Sequence, residues 1–295
     1  MCNQNTKLTG AIFSTFFLFV AMVSNVSANT IEIKQPNAVV NCDGPYWVDD
    51  KGLNNSQFNS FGGEFGRLHK GHDIEALDID YDGYLYGAAG DDVDNGKPGH
   101  LYKVDGVTGE LFDMGATGFD EVDGISFAPN NTLWGVAQGV GVFTIARDGH
   151  GELDLATTEV VFPTDMEIED LTWNLFGDML YAIENVHSGS NPDAGRDATV
   201  NHVLWGYDTY TGSLAPVCQA MVDEILGGRE VEAIEDVSMF FEPDTLAFGY
   251  HNSSNQLTVA LINMSSCAIM SVFFEEPLFQ VQDIEGIAVC PFIPN

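Results

Sequence analysis

Short apolar runs of four to six residues recur along the chain, rich in aromatic and β-branched side chains and separated by Gly, Asn and Asp. LDIDY and YLYGAA flank the turn Asp82-Gly83, and HLYKVD leads into Val107-Thr108-Gly109. ISFA, TLWGVA and VFTIA follow, ending before Asp148-Gly149. LTWNLF, DMLYAI and VLWGYD precede Tyr210-Thr211-Gly212, and VSMFF, TLAFGY and LTVALI complete the series. Runs this short, bounded by turn residues, predict β-strands joined by tight hairpins. The one helix-like stretch is Ala220 to Leu226, so the pattern predicts a nearly all-β chain.

A repeat organises these strands. Five times an acidic or small residue is followed by Ile or Val, then Glu or Asp, then a variable residue, then an aliphatic one. The copies are Asp73-Ile-Glu75-Ala-Leu77, Glu121-Val-Asp123-Gly-Ile125, Glu167-Ile-Glu169-Asp-Leu171, Ala233-Ile-Glu235-Asp-Val237 and Asp283-Ile-Glu285-Gly-Ile287. Their central acids are 48, 46, 66 and 50 residues apart, a period that suits four-stranded propeller blades. The expectation is a β-propeller of five blades, with six as the alternative if the 66-residue step hides an extra element. The fifth copy has only its first strand before the C-terminus. IEIKQPNAVVNC, PYWVDD and the stretch around Phe58 are placed to complete it, so both termini close the ring and remove its exposed edges.

The N-terminus changes how the rest is read. Lys7 precedes the apolar run Ala11 to Val23, and Val26-Ser27-Ala28 supplies small residues for cleavage. Residues 1–28 are therefore read as a signal peptide, and 29–295 as a single propeller domain, secreted or periplasmic, without a membrane span and monomeric. Cys2 leaves with the signal. Cys42, Cys218, Cys267 and Cys290 remain, in a compartment that favours two disulfides. Closure by both termini puts Cys42 and Cys290 on adjacent strands, which leaves Cys218 to pair with Cys267. With 44 acidic and 10 basic residues the formal net charge is -34, which opposes binding to nucleic acid or anionic membranes and favours cations.

In a propeller the first strand of each blade lines the central channel. Glu75, Asp123, Glu169, Glu235 and Glu285 are thus expected to ring one mouth. The insertions Asp91 to Gly99 and Glu184 to Asn201 overhang that mouth. Two readings of the acids stand side by side. Either they hold a hard cation such as calcium, or their carboxylates accept backbone N–H bonds from the neighbouring blade. Asp78-x-Asp80-x-Asp82-Gly83 has the first half of a calcium-loop pattern. Its twelfth position is Ala89, however, so it reads primarily as a hairpin turn. Arg67, Lys70, Lys97, Arg196 and Arg229 fall in loops on the same face and could clamp a small anion. His72 and His202 lie near it and could act as bases or ligand contacts. Trp47, Trp134, Trp173 and Trp205 fall within strands and are expected in blade packing, with sugar binding the alternative for Trp47 in the closing blade.

The DIEG-like opening of each repeat, together with its LYxxD-x-x-TG hairpins, resembles secreted bacterial β-propellers of the NHL/SMP-30-like and phytase-like kind. That resemblance implies calcium held by acidic side chains near the channel mouth, although those families mostly have six blades. Two functions follow. One is a binding or surface-interaction protein that takes an extracellular protein, a glycan or a small anionic ligand on its loop-rich face, with structural calcium. The other is a calcium-dependent hydrolase of a small phosphoester or lactone. The chain has no G-x-S-x-G, no Cys/His pair and no phosphate-binding loop, which favours the first.

Overall fold

The computed structural model describes residues 38–42, 45–49, 52–55, 69, 71–187, 200–226, 231–251, 257–273 and 285–291. Residues 1–28, together with Arg67, Lys70, Arg196 and Arg229, lie outside that set. In chain order the strands begin with β1 (Tyr46–Asp49) and β2 (Gly52–Asn55). β3 (Ile74–Ile79), β4 (Leu85–Ala89), β5 (His100–Val104) and β6 (Leu111–Ala116) form one antiparallel sheet. β7 (Gly124–Phe127), β8 (Leu133–Ala137), β9 (Gly141–Ile145) and β10 (Glu159–Pro163) form the next. β11 (Ile168–Trp173), β12 (Met179–His187), β13 (Val200–Asp208) and β14 (Ser213–Pro216) form a third, followed by helix α1 (Gln219–Leu226). β15 (Val231–Asp236), β16 (Thr245–His251), β17 (Leu257–Asn263) and β18 (Ala268–Phe273) form a fourth. Last in the chain, β19 (Gly286–Ala288) joins β1 and β2 in a three-stranded sheet of order β19-β1-β2.

The first strand of each sheet lies beside the first strand of the next. β3 packs beside β7, β7 beside β11, β11 beside β15, β15 beside β19, and β19 beside β3 again. Sheets radiating from a closed ring of inner strands make a β-propeller. Apolar layers fill the wedges between sheets. Leu77 and Ile79 pack with Tyr46, Val48 and Ala288, whereas Ala76 packs with Ile125 and Phe127 on the other side.

One set of hydrogen bonds binds the inner strands together. Asp78 Oδ2 accepts from the Phe127 N–H at 2.5 Å, Ser126 Oγ from Trp173 at 3.0 Å, Thr172 Oγ1 from Asp236 at 3.1 Å, and Glu235 Oε1 from Val289 at 3.3 Å. Three of the four bonds are buried and the one at Asp236 is partly so, and each satisfies a backbone donor at the inner strands. The fifth equivalent position is Ala288, which has no acceptor, and Ile79 N–H turns instead to its neighbour Asp78 Oδ1 at 2.6 Å.

This ladder corrects the fourth repeat. The residue that takes the place of Glu75 is Glu232, three positions before Glu235, and the matching copy is Glu230-Val231-Glu232-Ala233-Ile234. The first strand of that sheet is Val231–Asp236, while 237–241, expected as strand VSMFF, is a turn. Glu235 is an architectural rung, buried at 6% exposure. Among the inter-strand rungs of the described residues the acceptors are Asp78, Ser126, Thr172 and Glu235, so of the five expected mouth acids Glu235 takes an architectural place.

Both disulfides join the expected partners. Cys42–Cys290 and Cys218–Cys267 have Cα separations of 5.6 and 5.2 Å. Asp80, Asp82 and Gly83 form the β3–β4 turn, with Asp80 Oδ1 accepting from the N–H groups of Asp82 and Tyr84. The helix-like stretch is α1. No described helix is long and apolar enough to cross a membrane.

Candidate channel-mouth site

The mouth acids reach their places through local backbone irregularity. β3, β11 and β15 each carry a register shift at their second residue, so Glu75, Glu169 and Glu232 are the extra residues of β-bulges. A bulge re-aims one side chain without disturbing the ladder beyond it. Asp123 and Glu285 stand at the same step, immediately before β7 and β19. Gly90, just after β4, makes room beneath Glu75: a Cβ there would lie 2.1 Å from the Glu75 carboxyl carbon.

Three of these groups converge. Carboxylate oxygens of Glu75, Glu121 and Asp123 all lie within 4.8 Å of one another. Asp123 Oδ2 is enclosed and takes no hydrogen bond from the described residues. Burial, followed by Asp73, Asp123, Glu285 and Glu121, pushes Glu75 up to about 10. Burial, Glu121 and Glu169 push Asp123 up to about 9, and burial with Asp91, Asp73 and Asp92 pushes Glu121 up to about 7. The loop after β4 does overhang this mouth, since Asp92 N–H donates to Asp73 Oδ2 at 2.7 Å.

The structure thus brings together Glu75, Asp123, Glu169 and Glu285 of the expected ring and adds Glu121 and Asp73. Glu121 was missed although it opens its own repeat copy, in the place Asp73 and Glu167 hold in theirs. Glu235 lies deeper, on the channel axis, where a cavity with room for a water or two (about 20 Å3) is lined by Asp78, Ser126, Thr172, Glu235 and Asp236. Burial raises Asp78 to about 8 and holds Asp170 and Glu235 well above the usual carboxylate range.

The histidines face elsewhere. His72 is half-buried, edge-on to Tyr102 at 5.6 Å, with Nδ1 at 3.2 Å from the His69 carbonyl. His202 is 2% exposed on β13, and its carbonyl accepts from Gln219 Nε2 at the start of α1, so it is closed to a ligand. The three described basic side chains are all engaged. Lys97 pairs with Asp113, Lys103 with Glu152 and Arg147 with Asp80. Of the tryptophans, Trp134 and Trp173 meet edge-to-face at 5.2 Å, and Trp205 Nε1 donates to Glu184 at 2.8 Å.

These carboxyls set a pH dependence. Glu75, Asp78, Glu121 and Asp123 keep protons in the fold that the unfolded chain releases near its ordinary carboxylate range of about 4. The folded state then binds more protons, so raising pH through the folded values removes stability. With divalent cations chelated, the melting temperature should climb as pH is lowered from about 9 to about 5. A melting temperature that falls over that span would mean the mouth carboxylates are ionised and stabilised in the fold.

No family model matches the chain, and no curated protein matches it. Among solved structures it is similar to a chain of a nidogen/laminin complex, with TM-score 0.52 and 13% identity over 83% of this chain and 97% of that one. It is also similar to a functionally unknown protein from Desulfotomaculum acetoxidans, with TM-score 0.47 and 13% identity over 85% and 87% of the two chains. A Dos1 propeller gives TM-score 0.38 and 11% identity over 76% and 53%. At 13% identity the likeness to the nidogen/laminin chain speaks for the fold alone, in keeping with the ring of sheets that makes this chain a β-propeller.

Proposed function

We propose that this is an extracytoplasmic binding protein that presents its acidic channel mouth to a partner and holds a calcium-type divalent cation there. The observation that carries this reading is the convergence of Glu75, Glu121 and Asp123 within 4.8 Å. Three carboxylates so close repel one another unless they are protonated or share a cation, and hard oxygen donors suit calcium. Glu75, Glu121 and Asp123 would hold the ion, with Glu169 and Glu285 beside it. Calcium would supply positive charge at the mouth and so a point of attachment for an acidic group of an extracellular protein, a glycan or a small anion. We read the β19-β1-β2 sheet as a fifth blade that closes the ring. Two disulfides support an oxidising location. Binding is favoured over hydrolysis because the sequence carries no complete catalytic constellation, with no G-x-S-x-G, no Cys/His pair and no phosphate-binding loop.

Thermal melting in EDTA and in millimolar calcium tests the site. At about 100 times its dissociation constant, an ion that binds only the folded state adds ~2.7 kcal/mol, which for a chain of this size is a rise of several degrees. Glu121→Gln combined with Asp123→Asn should abolish the rise and leave a protein at least as stable in EDTA. An unchanged melting temperature in calcium would refute the cation site.

A further inference from the structure

The two disulfides sit in different surroundings. Cys42 and Cys290 are 8% and 1% exposed, packed among Tyr46, Val48, Ile74 and Ile79. Cys267 is exposed in the β17–β18 turn, and Cys218 is half-buried at the end of the third sheet. Both hold left-handed backbone, with φ of +50° at Cys218 and +52° at Cys267, a region that L-residues with side chains rarely take. Cys218 also caps α1, its carbonyl accepting from Met221 N–H at 3.0 Å and Val222 N–H at 3.1 Å. A thiolate released there lies at the positive end of a helix, which lowers its pKa and makes it the better leaving group.

What the bond holds is the crossing between two sheets. α1 buries Met221 and Val222 among Tyr181, Ile183 and Leu204 of the third sheet and Ile234 and Phe248 of the fourth. We infer that Cys218–Cys267 is a reducible clip, opened by dithiols while the Cys42–Cys290 bond stays intact, and that opening it undocks α1 from between those sheets. The reductant's thiolate attacks the sulfur of Cys267, the more exposed of the two residues, the S–S bond breaks, and its electron pair leaves on Cys218 as a thiolate. The second thiol of the reductant then displaces Cys267 from the mixed disulfide. The reductant departs as a cyclic disulfide, having given two electrons and two protons. Exposed or strained disulfides are the labile ones.

Brief treatment of the folded protein with graded dithiothreitol, followed by alkylation and peptide mass spectrometry, tests the order of opening. Cys218 and Cys267 should be labelled at reductant concentrations roughly tenfold below those that label Cys42 and Cys290. Simultaneous labelling of all four, or earlier labelling of Cys42 and Cys290, would overturn the inference. Hydrogen exchange on Cys218→Ser/Cys267→Ser tests the second half. Amides of 219–226 should lose protection while those of β3 to β5 keep theirs. Unchanged protection in α1, or loss of protection throughout, would each refute a local clip.

Discussion

Replacing Cys42 and Cys290 together by Ala should lower the unfolding free energy by ~4–5 kcal/mol, because the bond closes a loop of most of the folded chain. Its sequence separation is 248 residues. The non-covalent seam beside it is thin. Among the described residues β19 pairs with β1 through Ala288, Ile287 and Gly286, opposite Tyr46, Trp47 and Val48, and Glu285 N–H donates to the Val48 carbonyl at 3.1 Å. Ala288 has no side-chain acceptor, so at this seam the ladder has a rung from β15, where Glu235 accepts from Val289, but none from position 288 toward β3. Both cysteines lie in the apolar layer with Ile74 and Ile79, so truncation adds a small packing loss to the entropic one. Guanidinium denaturation of the variant is the measurement. A loss below about 1 kcal/mol would mean that strand pairing alone closes the ring.

Arg147→Met is expected to cost ~3–5 kcal/mol, the loss seen when one partner is removed from a buried ion pair. Asp80 is 0% exposed and receives Arg147 Nη2 at 2.7 Å. Arg147 also donates through Nε to the Asn131 carbonyl at 2.9 Å and through Nη1 to Gly151 at 2.6 Å, and it lies over the Phe127 ring at 5.4 Å. One guanidinium thus ties the turn of the first sheet to two turns of the second. Removing it leaves a buried carboxylate whose remaining donors are the amides of its own turn. Asp80→Asn in the Arg147→Met background should recover much of the loss, and a double-mutant cycle measures the coupling. Additive effects of the two substitutions would show that the pair contributes no coupling.

The propeller was legible because its signal is repeated. Each inner strand begins with the same acid, β-branched residue and acid, and each hairpin ends in a turn that Gly or Asn makes unambiguous. The fourth copy was misread by three residues because Ala233-Ile-Glu235-Asp-Val237 imitates the pattern that Glu230-Val231-Glu232-Ala233-Ile234 carries. Only burial separates them: Ile234 packs in the wedge at 1% exposure, and Glu235 turns to the next strand. The outermost strands were invisible for a different reason. β14 is exposed along its whole length and β10 nearly so, so neither has a buried face to impose alternation. The ring of acids could be read from the sequence, whereas its collapse onto Glu75, Glu121 and Asp123 could not. Which carboxylates meet depends on bulges and on the Gly90 gap. His202 was misplaced because a long hairpin strand buries every second side chain beneath α1, a helix whose position the sequence does not announce.

The order β19-β1-β2 also has a consequence in time. β19 follows every other strand along the chain, yet it occupies the innermost place in its sheet, against both β15 and β3. A chain emerging N-terminus first must therefore keep the inner edge of β1 without its partner while four complete sheets form. The ring cannot seal progressively and is finished in one late event. Any chaperone that attends this chain has its task defined by that interval, and a chain held up after β18 but before β19 has emerged is a molecule with four finished sheets and an open seam.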